Sequence, residues 1–139
     1  MNTKENHNQK FVDVVKTDVA NGIVALNISL TNDVNNDRIL SVGGFEAIYK
    51  IKASATGVDC IKSVEDLSTF WHTYQGVLDE ILNKHGAGCQ IHLFPAMPVS
   101  AAFEVGRRYM LNTYPSVTIF DENNGFFETL KMGVNTDDR

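Results

Sequence analysis

Short apolar runs alternate with helix-type patterns along this chain, and this alternation limits the possible folds more than any other feature. β-branched and apolar residues fill 23–31, 90–94 and 116–120, whereas residues 63–85 and 99–110 show helical patterns. Strands separated by helices run mostly parallel, because each helix returns the chain to the same edge of the sheet. The alternation therefore predicts an α/β fold built on a mostly parallel sheet.

The remaining apolar segments extend this sheet. Segment 46–54 predicts another strand, in which two lysines alternate with apolar residues, so one face of it is either solvated or functional. Segments 116–120 and 126–132 are joined by a short polar turn and predict a C-terminal β-hairpin. Residues 11–20 fit either a short helix or a strand.

Length and composition predict a single domain. The chain has 139 residues, of which 43% are hydrophobic, enough for one core. Residues 1–10 are rich in Asn, Lys and Gln and predict a disordered N-terminal tail. We therefore expect one domain over residues 11–139, with no internal repeat.

The charge and the lack of long apolar runs exclude some functions. A formal net charge of −5 argues against broad contact with duplex nucleic acid, which needs a basic face. A small anionic ligand remains possible, because backbone N–H groups and one or two cations can hold it. The N-terminus lacks the apolar core of a signal peptide, and no run approaches the ~20 residues that span a bilayer. These features predict a cytoplasmic protein.

For several residues, a structural interpretation is favoured over a functional one. Trp71 and Tyr74 could stack on a base, but they belong to the wide apolar stripe of the helix over 63–85 and are predicted to be core. Cys60 and Cys89 form no CxxC pair and are predicted to be buried free thiols. His92 alternates with apolar residues in a strand and is predicted to be structural.

Two prolines mark the candidate site. Pro95 and Pro98 bracket the connection between a predicted strand and the helix over 99–110. In open α/β sheets, ligands bind beyond the carboxyl ends of the strands, where such connections lie. If the sheet is parallel, three loops share that edge, namely 31–33, 53–54 and 95–98. This arrangement is consistent with a loop of fixed backbone shape at a ligand site, although the residues alone favour a stiff connection between two packed elements.

The helix that follows Pro98 supplies an anion site in outline. Proline suits the first turn of a helix, and the free N–H groups after it carry the positive end of the helix dipole. Ser100 and the small residues beside it allow close approach of a ligand. Gly106 is predicted to let the helix press against the strand below, and Arg107 either reaches a phosphate or faces solvent.

No catalytic pattern accompanies this site. The sequence contains no HExxH, GxSxG or Walker motif, and its carboxylate pairs are typical of solvated helix faces. We therefore expect no enzyme activity, no metal site and no cofactor.

The segment "IHLFPAMPVSAAFEVGRR", followed by "PSVTIFD", resembles the SAVED domain of bacterial antiphage systems of the CBASS and type III CRISPR classes. The likeness covers roughly residues 20–132. It rests on a strand ending in His-Leu-Phe, a small residue, a proline, a helix with Gly-Arg, and a later strand ending in Phe-Asp. In this chain these are His92-Leu93-Phe94, Ala96, Pro98, Gly106-Arg107 and Phe120-Asp121.

The resemblance implies a Rossmann-like, CARF-like three-layer domain that binds a cyclic di-, tri- or tetranucleotide. Such a sensor activates an effector or drives assembly. Phosphates would rest on the turn after Pro98, and bases near Thr31 and Asn32. The binding residues expected on this basis are Thr31, Asn32, Lys52, Pro95, Ala96, Met97, Pro98, Ser100 and Arg107.

The resemblance leaves alternatives open. SAVED domains look like two fused Rossmann-like units that usually follow an effector, whereas this chain is long enough for one unit. A second copy, a separately encoded half or an effector protein would then complete the assembly, or the chain is truncated. A ring nuclease that cleaves the messenger and an assembly module without a ligand are the alternative functions.

Overall fold

The computed structural model describes residues 10–57, 59–109, 115–122 and 125–133, with side chains from residue 12 onward. Within these residues lie six strands and three helices in the order β1-β2-α1-β3-α2-β4-α3-β5-β6. The strands are β1 (Lys10–Lys16), β2 (Ile23–Ser29), β3 (Ala47–Ala53), β4 (Gln90–Ala96), β5 (Ser116–Glu122) and β6 (Phe126–Met132). The helices are α1 (Asn36–Leu40), α2 (Val64–His85) and α3 (Val99–Arg107).

The six strands form one mixed sheet in the order β1-β3-β2-β4-β5-β6. The four inner strands are parallel to one another, and β1 and β6 pair antiparallel at the two edges. The predicted parallel sheet and the C-terminal hairpin of β5 and β6 are therefore confirmed. The ambiguous segment over 11–20 contains the edge strand β1. The predicted tail over 1–10 lies outside the described residues, except that Lys10 begins β1.

Helices cover both faces of the sheet and give three layers. The even-numbered apolar residues of β2 pack beneath α2 and α3, in the larger core cluster. The odd-numbered Ala25 packs on the opposite face with Ile39 of α1, beside Phe45, Ile48 and Phe94. This division follows from the alternation of side chains in a strand that is buried on both faces.

The long helix α2 follows from its caps and its apolar stripe. The Ser63 side chain accepts a hydrogen bond from the backbone N–H of Asp66, and Gly86 ends the helix with a φ of 86°. Trp71 and Tyr74 are 8% and 1% exposed within the core, which confirms their structural interpretation. Cys60 and Cys89 are buried and belong to no disulfide, as predicted.

Two predictions from the sequence were wrong in this region. Pro95 does not end β4, because the strand continues through Pro95 to Ala96. The Ala96 carbonyl faces β2, so the missing N–H of Pro95 points toward β5, where the last paired residues are Leu93 and Ile119. Gly106 does not press against the sheet, because a Cβ atom placed there would meet no atom within 4 Å.

Candidate ligand site at the carboxyl edge of the sheet

The chain changes direction across the sheet at β2, and this creates the candidate site. From β2 the chain passes to β3 on one side, whereas β4 lies on the other side. Such a switch point opens a crevice at the carboxyl ends of the strands. The backbone N–H groups of Leu30 and Thr31 both donate to the carbonyl oxygen of Ala96, at 2.8 and 2.9 Å. The loops after β2 and β4 are thereby held together at this edge.

The loop after β2 is fixed by a buried polar pair that the sequence analysis missed. Asn27 and Ser29 are completely buried on the face that carries α1. Asn27 Nδ2 donates to the carbonyl of Val34 at 2.8 Å and to Asn36 Oδ1 at 2.9 Å. Ser29 Oγ donates to Asn27 Oδ1 at 2.7 Å and accepts from the N–H of Val34 at 2.9 Å. These bonds fold the loop back onto its own strand.

A signal for this pair is visible in the sequence. Asn27 and Ser29 are the polar residues within the run "IVALNISL", and they are two residues apart, so they share one face of the strand. Buried polar groups in such a position need hydrogen-bond partners, and the polar loop that follows supplies them.

Two lysines of β3 lie beside this loop on the same face of the sheet. Lys52 pairs in register with Ser29, which in turn pairs with Ala96, so the three form one row across β3, β2 and β4. Lys50 Nζ lies 2.7 Å from Asp33 Oδ1, and Lys52 Nζ lies 3.0 Å from Asp33 Oδ2. The hydrogen bonds from Lys50 and then Lys52 lower the pKa of the Asp33 carboxyl below its ordinary value.

Helix α3 begins at the same edge, directly after β4. Pro98 takes the N-cap position with φ −70° and ψ 163°, and its side chain makes no capping hydrogen bond. The first backbone bond of the helix runs from the N–H of Ala102 to the carbonyl of Pro98, at 3.1 Å. The three preceding N–H groups lack a partner within the helix, as at any helix start. Ser100 is exposed in this first turn.

The structure therefore brings most of the predicted site residues to one edge. Thr31, Pro95 and Ala96 lie at the switch point, and Lys52 lies in the same row as Ala96. Met97 and Pro98 lead into α3, and Ser100 lies in its first turn. Asn32 is exposed in the loop after β2.

Arg107 is placed apart from the others. It ends α3, eight residues along from Val99, which corresponds to about 12 Å of helix between the two. Its guanidinium is half exposed and lies 2.8 Å from Glu104 Oε1. Its role as a ligand residue stays a prediction, and the described contacts give it a partner on its own helix.

An aromatic cluster that the sequence analysis also missed lies where β4 and β5 diverge. Phe94 and Phe120 stack with ring centroids 4.8 Å apart, and Phe126 meets Phe94 edge-on at 5.0 Å. The guanidinium carbon of Arg38 lies 4.9 Å from the centre of the Phe126 ring, and Arg38 also forms a salt bridge with Glu122. A cation held over an aromatic ring thus borders the candidate site.

His92 belongs to this cluster rather than to a polar site. Its ring centroid lies 5.7 Å from that of Phe45 and 5.1 Å from that of Phe120. Burial lowers the pKa of His92 below its ordinary value, against a smaller raising effect from Glu128. The aromatic packing fits the predicted structural role.

The described part of the chain offers no group of three or more His, Cys, Asp or Glu residues that could bind a metal ion. It also contains no helix long and apolar enough to cross a membrane.

The family follows from comparison with known proteins. The profile described as "SMODS-associated and fused to various effectors sensor domain", abbreviated SAVED, matches residues 2–132. The chain belongs to the SAVED family. This SAVED chain has no match among curated protein sequences.

Solved structures show the same SAVED fold. The Acinetobacter baumannii Cap4 SAVED/CARF-domain containing receptor, solved with the cyclic trinucleotide 2'3'3'-cAAA, matches with a TM-score of 0.69 and 16% identity. The match covers 92% of this chain and 29% of the receptor. The receptor with 3'3'3'-cAAA gives a TM-score of 0.66 and 18% identity, over 92% and 28% of the two chains. This SAVED chain therefore spans less than a third of the receptors that it resembles.

Proposed function

We propose that this SAVED domain binds a cyclic oligonucleotide at the carboxyl edge of its sheet and serves as a sensor in a bacterial antiphage system. One observation carries the proposal. The backbone N–H of Thr31 is hydrogen-bonded to the carbonyl of Ala96 at the switch point, one strand away from Lys52. Family membership and the cyclic trinucleotides in the Cap4 receptors support the same ligand class.

The edge suits a ligand with several phosphates and bases. The phosphates contact the N–H groups at the start of α3 and the lysines of β3, because both favour negative charge. The bases contact Thr31, Asn32 and Met97, which lie next to the ends of the strands. The proposed role is binding, in agreement with the sensor function that the description of the SAVED family states.

Calorimetry against cyclic di-, tri- and tetranucleotides, with linear AMP as the reference, tests the proposal. We expect at least one cyclic ligand, with 3'3'3'-cAAA as the first choice, to bind more tightly than AMP. The Lys52→Gln variant should weaken that binding by about 1.5–3 kcal/mol, the range for hydrogen bonds to charged groups. Lys84→Gln is the matched control, because Lys84 lies in the last turn of α2, away from the carboxyl edge of the sheet, and pairs with Glu80.

Two outcomes would contradict the proposal. Heats equal to those of buffer for every cyclic ligand, from protein that melts cooperatively, would favour an assembly module without a ligand. Linear products after incubation, separated by chromatography, would instead identify a ring nuclease.

We further propose that a second surface completes the pocket, provided by another copy, a separately encoded SAVED half or an effector protein. The candidate residues support this, because Asn32, Asp33 and Ser100 are exposed along an open sheet edge. Sedimentation velocity with and without the bound ligand should show a larger species in the presence of ligand. A monomer that keeps full affinity would refute this part of the proposal.

A further inference from the structure

A single carboxylate bridges the two lysines of β3. Asp33 uses one oxygen for Lys50 and the other for Lys52, at 2.7 and 3.0 Å. The Lys50 side chain is only 15% exposed, whereas those of Asp33 and Lys52 are 46% and 42% exposed. The two ammonium groups therefore converge on one anionic group at the carboxyl edge.

A largely buried lysine needs an anion close to it. Burying an ammonium group without a partner is unfavourable, so the position of Lys50 favours an anion beside it. Two ammonium groups aimed at a pair of oxygens match a carboxylate, and they equally match two non-bridging oxygens of a phosphate. Asp33 thus has the shape and charge of a substitute for a phosphate group.

Asp33 can leave the lysines without any change in the loop that carries it. On one side of it, the N–H of Thr31 is bound to Ala96, and on the other, the N–H of Val34 is bound to Ser29. With its neighbours fixed and its side chain half exposed, Asp33 needs only a rotation of its own side chain to move away.

We propose that Lys50 and Lys52 form a phosphate subsite, and that Asp33 fills this subsite until a phosphate of the ligand displaces it. The inference rests on the function proposed above, and it adds a residue that sets the affinity. Asp33 offsets one of the two lysine charges in the free protein and raises the ligand concentration at which binding begins.

The decisive experiment compares Asp33→Asn with Asp13→Asn. Both variants lose one negative charge, and Asp13 lies directly across from Lys50 on β1 without bridging the two lysines. Calorimetry with pyrophosphate probes the subsite alone, and a separate titration with 3'3'3'-cAAA probes the proposed ligand. Removal of a half-exposed competing ion pair should tighten pyrophosphate binding by about 3- to 10-fold in Asp33→Asn. Asp13→Asn should stay within about twofold of the parent.

A second measurement uses the unmodified chain. In a carbon-13 NMR titration, saturating pyrophosphate should move the pKa of the Asp33 carboxyl up toward its ordinary value, because the lysines no longer contact it. The Lys50→Gln/Lys52→Gln double variant should lose pyrophosphate binding.

The outcomes separate the two proposals. Weaker or unchanged pyrophosphate binding by Asp33→Asn, or no binding by either protein, overturns the role of Asp33. Tighter pyrophosphate binding without any binding of cyclic oligonucleotides would support the subsite and contradict the proposed function.

Discussion

Gly106 lies in the last turn of α3, where an added methyl group would meet open space. Glycine in a helix costs about 0.5–1 kcal/mol relative to alanine, since it loses more backbone freedom on folding. Gly106→Ala should therefore raise the free energy of unfolding, measured by urea denaturation, by up to about 1 kcal/mol. Gly125→Ala is the control, because its φ of 123° strains any side chain, so that variant should be less stable. A loss of stability in Gly106→Ala would point to a contact outside the described residues.

Sequence patterns predict Trp71 and Ser63 correctly, because the apolar periodicity of α2 places Trp71 and because the capping partner of Ser63, Asp66, is three residues away. The position of Gly106 depends instead on how α3 rotates over the sheet, which local spacing does not specify. The same holds for Arg38, whose partners Phe126 and Glu122 lie more than eighty residues further along the chain.

At the scale of the elements, the loop between β2 and α1 owes its shape to Ser29. Ser29→Ala would leave the buried N–H of Val34 without its acceptor and Asn27 Oδ1 without its donor. A buried group left without a partner costs about 1–3 kcal/mol, so the free energy of unfolding should fall by that amount. Hydrogen exchange of the Val34 amide should also become faster, relative to amides at the centre of α2.

Ser68→Ala provides the comparison for this variant. Ser68 is exposed on α2, where alanine is a good helix former, and its loss should change stability by no more than about 0.5 kcal/mol. Equal effects of the two substitutions would show that the Ser29 network does not hold the loop.

The element boundaries show where prediction from sequence stops. The strands β2, β5 and β6 and the helix α2 have strong periodicity, and their positions agree with the structure to within a few residues. Helix α1 was missed because five residues are too few for a periodic pattern, and its cap at Asn35 looks like loop sequence. At the candidate site, the sequence predicts which loops share an edge, whereas the ion pairs of Asp33 depend on register between strands.

For the whole molecule, acid should reduce stability in two stages. Burial lowers the pKa of His92 from its ordinary 6.5, so the unfolded chain binds protons more readily, and stability is lost as pH falls below about 6.5. The pKa of Glu46 is lowered from 4.5 by hydrogen bonds from the Gly22 N–H and from His85, and that of Asp33 is lowered from 3.8. Their stabilisation is present above these values and is lost as pH falls below them.

Urea denaturation from pH 7 to pH 3 measures both stages. The His92→Phe variant keeps an aromatic ring beside Phe45 and Phe120. It should lose less stability than the parent between pH 6.5 and 5, and as much as the parent below pH 4.5. An identical profile for the variant and the parent would assign the first stage to other groups.

The position of β2 at the centre of the sheet has a consequence for the order in which the chain folds. Its partner residues in β4 follow far along the sequence, with Ile23 paired to Gln90, a separation of 67 residues. Contacts of this range close slowly, and a chain made at about 5–20 residues per second spends several seconds between the two strands. During synthesis β2 therefore waits with the backbone N–H and C=O groups of one edge unpaired, and the nascent chain is open to misassociation through that edge in the interval.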